Sequence, residues 1–260
     1  CNKYLSIGYF FKSTERPKVH PIGAQPHADF KTHFAPTTMS ARRPVIFVPH
    51  GSPMFALHPG AAGAAMSQIA AAMDTPRAIV VVSPHWDTRI PTVSMATQLE
   101  TIHDFYGFPP ALYELQYPAT GCPELAQEVV TALRAAGLEV ADDSQHGLDH
   151  GAWQPLRHMF PDADVPIVPL SMQSRGGPAH AFRVGQAFAP LAEKNVWVMA
   201  SGNITHNLGD WQVAASTHGQ TPTYVNRFAD WVQEKLQAND VGSLLNYRQH
   251  SADGRQAHPS

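Results

Sequence analysis

The chain has 260 residues and a net charge of −3 with histidine neutral. No run of Lys or Arg occurs, which argues against nucleic acid or an acidic membrane surface as partner. Hydrophobic residues make up 43% of the chain, enough for a full core, yet no apolar stretch approaches the roughly 18 residues of a bilayer span.

In chain order, the first segment is "YLSIGYFF" (4–11), apolar but without a preceding basic region or a small-residue cleavage site, so it does not read as a signal peptide. Residues 12–44 scatter Pro, Thr, His and Lys with no period. Residues 1–43 are therefore expected to be a disordered N-terminal extension, with Met39 resembling a natural start. From residue 44 strands and helices alternate. Strands are predicted at 45–49, 78–83, 92–96, 166–171 and 196–200, short, rich in Val and Ile, and mostly apolar on both faces. Helices are predicted at 62–73, 123–136, 179–193 and 222–237. The clearest is "CPELAQEVVTALRAAGLEV" (122–140), with Pro123 near its first position, Leu125, Val129 and Leu133 on one face, and Gly137 as its stop. The alternation predicts an α/β fold, a three-layer α/β/α sandwich around a largely parallel or mixed sheet. No GxGxxG follows a strand and no P-loop is present.

Histidine is the outlying count, 15 residues against 18 Lys plus Arg. "VIFVPHGSPM" (45–54) delivers His50 just past one predicted strand, and "AIVVVSPHWD" (78–87) delivers His85 just past another. In "VWVMASGNITHNL" (196–208), His206 follows a third. Ligands of open α/β sheets bind outside the carboxyl ends of the strands. A single histidine there is ordinarily a loop or core residue. Three in equivalent positions would converge if their strands are neighbours, and convergent imidazoles suit Zn, Fe, Cu or Ni. "SQHGLDHGAWQPLRHMF" (144–160) adds His146, Asp149 and His150, where Asp149 either orients an imidazole or caps a helix with His150 exposed. "ETIHDFYGFPPALYELQYP" (100–118) has three Tyr and two Phe in 19 residues. It reads as core-covering irregular chain or as the wall of a pocket for a flat aromatic ligand. The two cysteines, Cys1 and Cys122, form no disulfide framework and no CxxC zinc motif, which fits a reducing cytoplasm.

"PHGSPM", "SPHWD", "TIHDFYGFP", "LDHGAW" and "SGNITHNL", in that order, resemble the class III extradiol ring-cleavage dioxygenases, in particular the 4,5-DOPA extradiol dioxygenase type, over residues 44–260. The resemblance implies a non-haem metal site at the carboxyl ends of the strands, with Fe(II) expected and Zn(II) the alternative. It makes His50 and His85 metal ligands. His206 is implied as a further ligand, as in zinc-bound members, or as the acid/base histidine of the protocatechuate-cleaving branch. His150 is implied as a catalytic residue lining the pocket, with His103, Phe105, Tyr106 and Trp153 binding substrate. In the family the pattern runs on after "AHPS" into a Glu-His-x-x-Pro-Leu-like stretch with another ligand histidine and a final strand. The implied expectation is that the C-terminal end of the domain is missing here and the site is one ligand short, with His258 not that ligand and His146 the first candidate to stand in.

The implied partners are a catechol and dioxygen. A facial ligand set leaves coordination positions open for both, and an imidazole with a pKa near neutrality can take and return a proton. Two other functions fit the same residues. One is a zinc hydrolase, though none of the motif carboxylates, Asp104 and Asp149 included, is an obvious general base. The other is a non-enzymatic binding protein on the same fold.

Overall fold

The structure is a computed structural model, which describes residues 45–216 and 221–259, without the side chains of residues 211 and 214–216. The expected N-terminal extension, residues 1–43, lies outside the described residues.

Six strands form one sheet: β1 (Val45–Pro49), β2 (Ala78–Asp87), β3 (Thr92–Ser94), β4 (Ala141–Asp143), β5 (Ile167–Met172) and β6 (Val196–Gly202), in the spatial order β1-β6-β2-β5-β3-β4. The β1–β6, β6–β2 and β2–β5 pairs are parallel, so those four strands end on the same edge. β3 runs antiparallel to β5 and parallel to β4, which makes the sheet mixed.

The alternation of side chains along β2 explains the layering. Ile79 and Val81 point to one face, into a core with Ile46, Val48, Ile167, Trp197 and Met199. Ala78 and Val80 point to the other, with Val168, Leu170 and Val196. Both faces are apolar because helices cover both. On the first lie α1 (Gly60–Ala71), through Met66, and α4 (His150–Met159), through Trp153, Leu156 and Met159. On the second lie α3 (Pro123–Ala135), through Leu125, Val129 and Leu133, and α5 (Gly177–Gln186), through Val184. A short helix α2 (Pro110–Tyr113) interrupts the aromatic loop. Beyond β6 come α6 (Leu208–Ser216), α7 (Thr223–Gln237), α8 (Val241–Leu245), α9 (Tyr247–His250) and α10 (Gly254–Ala257). Tyr224, Phe228 and Ala257 make a small core among them.

The helix expected over 179–193 ends at Gln186, and a 3-10 turn, Ala189–Lys194, replaces its second half. Pro190 has no N–H to donate and its ring clashes with the preceding turn, so the α-helix cannot continue through it.

Candidate metal centre

Three elements deliver one histidine each to the carboxyl edge of the sheet. His50 follows the last residue of β1. The next residue, Gly51, has φ +65°, a turn that glycine allows without strain and that returns the chain over Phe55. His50 is buried, and its Nδ1 lies 3.2 Å from Ser201 Oγ of the neighbouring strand β6. His85 sits inside an irregularity of β2. Ser83 pairs with Ser171 and Asp87 with Met172, so Pro84, His85 and Trp86 bulge from the ladder. His150 is the first residue of α4 and is buried.

One ring nitrogen from each of His50, His85 and His150 lies within 4.8 Å of the other two. Ring centroids are 5.0 Å apart for His50–His85, 5.5 Å for His50–His150 and 4.0 Å for His85–His150. His50 Nε2 lies 3.2 Å from His85 Nε2. Two nitrogens each about 2.0–2.1 Å from a single transition-metal ion stand about 3 Å apart, so this spacing suits a shared cation.

Partners on the far side of each ring set its orientation. The Oδ2 of Asp104 lies 3.2 Å from His85 Nδ1 and 2.9 Å from His150 Nδ1. Its Oδ1 accepts the backbone N–H of His150 at 2.8 Å. All three Nδ1 atoms are thus engaged, leaving Nε2 on each ring to face the site, the arrangement common to metal-binding imidazoles. The donor set therefore fits a resident metal ion.

The electrostatics agree. Burial, with the neighbouring His85, His150 and His206, lowers the pKa of His50 to about 3, so its ring is neutral at neutral pH with a lone pair to give. Burial disfavours the charged form of His85 too, but the hydrogen bond and charge of Asp104 outweigh it and raise its pKa. Burial also opposes ionisation of Asp104, yet the hydrogen bonds from His150 and His85 hold it well below the usual carboxylate range.

The other expected site residues fall in different places. His206 is exposed, on the loop after β6, with its backbone N–H donated to Ala257 O at 2.9 Å. It is not one of the three clustered histidines, though its charge is felt at His50. Phe105 is buried with its ring at 88° to that of His150, centroids 5.7 Å apart. Tyr106 is 92% exposed beside it. His103 packs on Phe105, Tyr113 and Trp153 and reaches Leu115 O through Nε2 at 3.0 Å. Trp153 is fully buried and donates Nε1–H to Ile102 O at 3.1 Å. With no exposed surface, the Trp153 side chain packs behind His103. His146 stacks on Trp86, centroids 3.7 Å apart and planes within 11°.

The two roles weighed for Asp149 separate cleanly. It caps α4, accepting Ala152 N–H at 3.2 Å and Ser83 Oγ–H at 2.5 Å. His150 is nevertheless buried, and the carboxylate that orients it is Asp104, 46 residues earlier. Sequence reasoning named Asp104 only as a carboxylate in a motif. It gave no role to Ser83 or Ser201, since a serine at a strand end carries no distinguishing signal.

Clustered imidazoles at the carboxyl edge of a mostly parallel α/β sheet, backed by a carboxylate, define a metal-dependent enzyme of the α/β class. The model of the family described as the catalytic LigB subunit of aromatic ring-opening dioxygenase matches residues 44–260, and the chain belongs to that family. It is 38% identical over 216 residues to a 4,5-DOPA dioxygenase extradiol of Escherichia coli K12, covering 81% of this chain and 78% of the relative. It is 35% identical over 217 residues to one of Beta vulgaris, covering 82% and 80%. The crystal structure of an uncharacterized Escherichia coli K12 protein superposes with a TM-score of 0.61 at 32% identity, covering 77% of each chain. The chain is an extradiol ring-opening dioxygenase, an oxidoreductase, and a bound metal belongs to its chemistry.

Proposed function

We propose that this dioxygenase cleaves a DOPA-like catechol with Fe(II) as its resident metal, held by Nε2 of His50 and of His85. The observation that carries the reading is the 3.2 Å approach of those two nitrogens, with Nδ1 of each ring turned to a partner. The relatives named for 4,5-DOPA supply the substrate class. Fe(II) held there would bring catechol and dioxygen together and acidify the catechol hydroxyls.

The chain's own groups then handle protons and orientation. His150, with Nδ1 on Asp104, presents Nε2 to take a hydroxyl proton from the catechol and later return it. His206, exposed on the loop after β6, is the second proton carrier. Phe105 closes the site beside His150, where an aromatic edge restricts water and favours a flat ring. One ring C–C bond breaks, between a hydroxyl-bearing carbon and its unsubstituted neighbour. One atom of dioxygen ends in the new carboxylate and the other in the aldehyde. The part-exposed Cys122 is free, which fits work in the reducing cytoplasm.

The test is anaerobic reconstitution with Fe(II) or Zn(II), followed by a catechol panel under labelled dioxygen. Expected is one dioxygen consumed per catechol by the Fe(II) form, with both labelled atoms in the semialdehyde. An Fe(II) form that consumes no oxygen, beside a Zn(II) form that hydrolyses esters, overturns the reading.

A further inference from the structure

Asp104 is placed as no other carboxylate among the described residues is. It follows β3 in the aromatic loop, and its side chain is 23% exposed. One oxygen, Oδ2, serves two imidazoles from different elements: His85 from the bulge of β2 and His150 from the start of α4. The other oxygen, Oδ1, is spoken for by the backbone N–H of His150. That third contact fixes which oxygen faces the rings. A carboxylate only accepts hydrogen bonds, so both rings must carry their proton on Nδ1 to satisfy it. In their neutral forms both then show an unprotonated Nε2 to the site.

We infer that Asp104 is a positioning residue that sets the Nδ1–H tautomer of His85 and His150 together, preparing one ring to bind metal and the other to accept a proton. The inference rests on the roles proposed above for those two histidines. A single oxygen holding both rings also explains why their centroids can stand only 4.0 Å apart. The shared acceptor ties the loop, the bulge and the helix into one unit, so metal binding and proton transfer depend on the same atom.

Asp104→Asn tests this, because the amide keeps the shape and its oxygen can still accept the His150 N–H. That contact pins the amide nitrogen at the Oδ2 position, where it can only donate. At least one ring must then move its proton to Nε2. The readouts are the ring-nitrogen NMR spectrum of the zinc-loaded, diamagnetic protein and its zinc dissociation constant. Expected in the unaltered protein is Nδ1–H on both rings. Expected in Asp104→Asn is loss of Nδ1–H from at least one ring and zinc binding weaker by about 10–100-fold. An Nε2–H on either ring of the unaltered protein overturns the inference whether or not the variant folds. So does Asp104→Asn with both Nδ1–H protons retained, or with an unchanged dissociation constant. His85→Ala separates this from failure of the ligand assignment. If it binds zinc as the unaltered protein does, the assignment of His85 is wrong. If it loses zinc while Asp104→Asn does not, only the role of Asp104 falls.

Discussion

At the scale of single residues the site depends on how tightly α4 is laid against β2. Gly151 is the contact point. A Cβ there would lie 2.4 Å from Ser83 Oγ, 2.9 Å from His85 Cδ2 and 3.1 Å from Asp149 Oδ1. Ser83 cannot simply rotate away, because its hydroxyl is committed to Asp149. Gly151→Ala is therefore expected to cost about 1–3 kcal/mol of stability through overpacking and to push the His85 ring from its place. Urea unfolding and a metal titration check both, and a variant as stable and as metal-avid as the parent would show that the helix can shift freely. His150→Ala makes a different prediction. The protein should keep its metal while turnover falls by roughly 10²–10⁴, the usual contribution of a general acid/base. Loss of metal instead would make His150 a ligand. The proximity of His50 and His85 could be anticipated because each follows an apolar strand. The partner of His150 could not, because chain adjacency misleads at a helix start. Asp149, as cap, turns back to the N–H of Ala152, while His150 faces the loop that carries Asp104.

At the scale of elements α4 is the hub. Its cap, Asp149, joins it to β2 through Ser83, and Trp153 fills the space under the aromatic loop. Asp149→Ala removes the cap and leaves the Ser83 O–H without its acceptor, while Ser83 Oγ still accepts the backbone N–H of His85. It is expected to destabilise by about 0.5–2 kcal/mol, with Asp149→Asn closer to the parent. Trp153→Ala, at a fully buried position, is expected to cost about 3–5 kcal/mol. Thermal and urea denaturation give both numbers, and a Trp153→Ala loss below 1 kcal/mol would mean that the loop collapses onto the void. The long apolar strands and α3 were readable from sequence because their periodicity comes from facing a core. β4 was not, since "ADD" has no strand propensity and pairs only with another three-residue strand, β3. The helices between Val241 and Ala257 were equally hidden. Four- or five-residue helices cannot nucleate alone and form here through packing on α7, on α5 and on each other.

At the scale of the whole molecule, protons, metal and stability are linked. Burial lowers the pKa of His146, His158 and His258 as well as that of His50. For such groups the unfolded chain binds more protons between the folded and unfolded pKa values, so stability is full above the unfolded value, 6.5, and falls as pH drops below it. His85 acts in the opposite sense, because its pKa is raised. Its contribution is present below 6.5 and lost as pH rises through the raised value. Among the histidines, four against one predict net destabilisation as pH drops below 6.5. Metal binding adds to this. His50, neutral down to about 3, offers its lone pair throughout, whereas His85 must first give up its proton. Affinity should therefore fall as pH falls, by up to about tenfold per pH unit for one displaced proton. A metal at 100 times its dissociation constant stabilises by about 2.7 kcal/mol. Thermal unfolding with and without zinc, at pH 7.5 and 5.5, checks both linkages. Expected are a lower metal-free midpoint at pH 5.5 and a smaller zinc increment there, with a chelator abolishing the increment at either pH. An increment equal at the two pH values would mean that no proton leaves His85 when the metal arrives, and that its Nε2 is not the atom that binds.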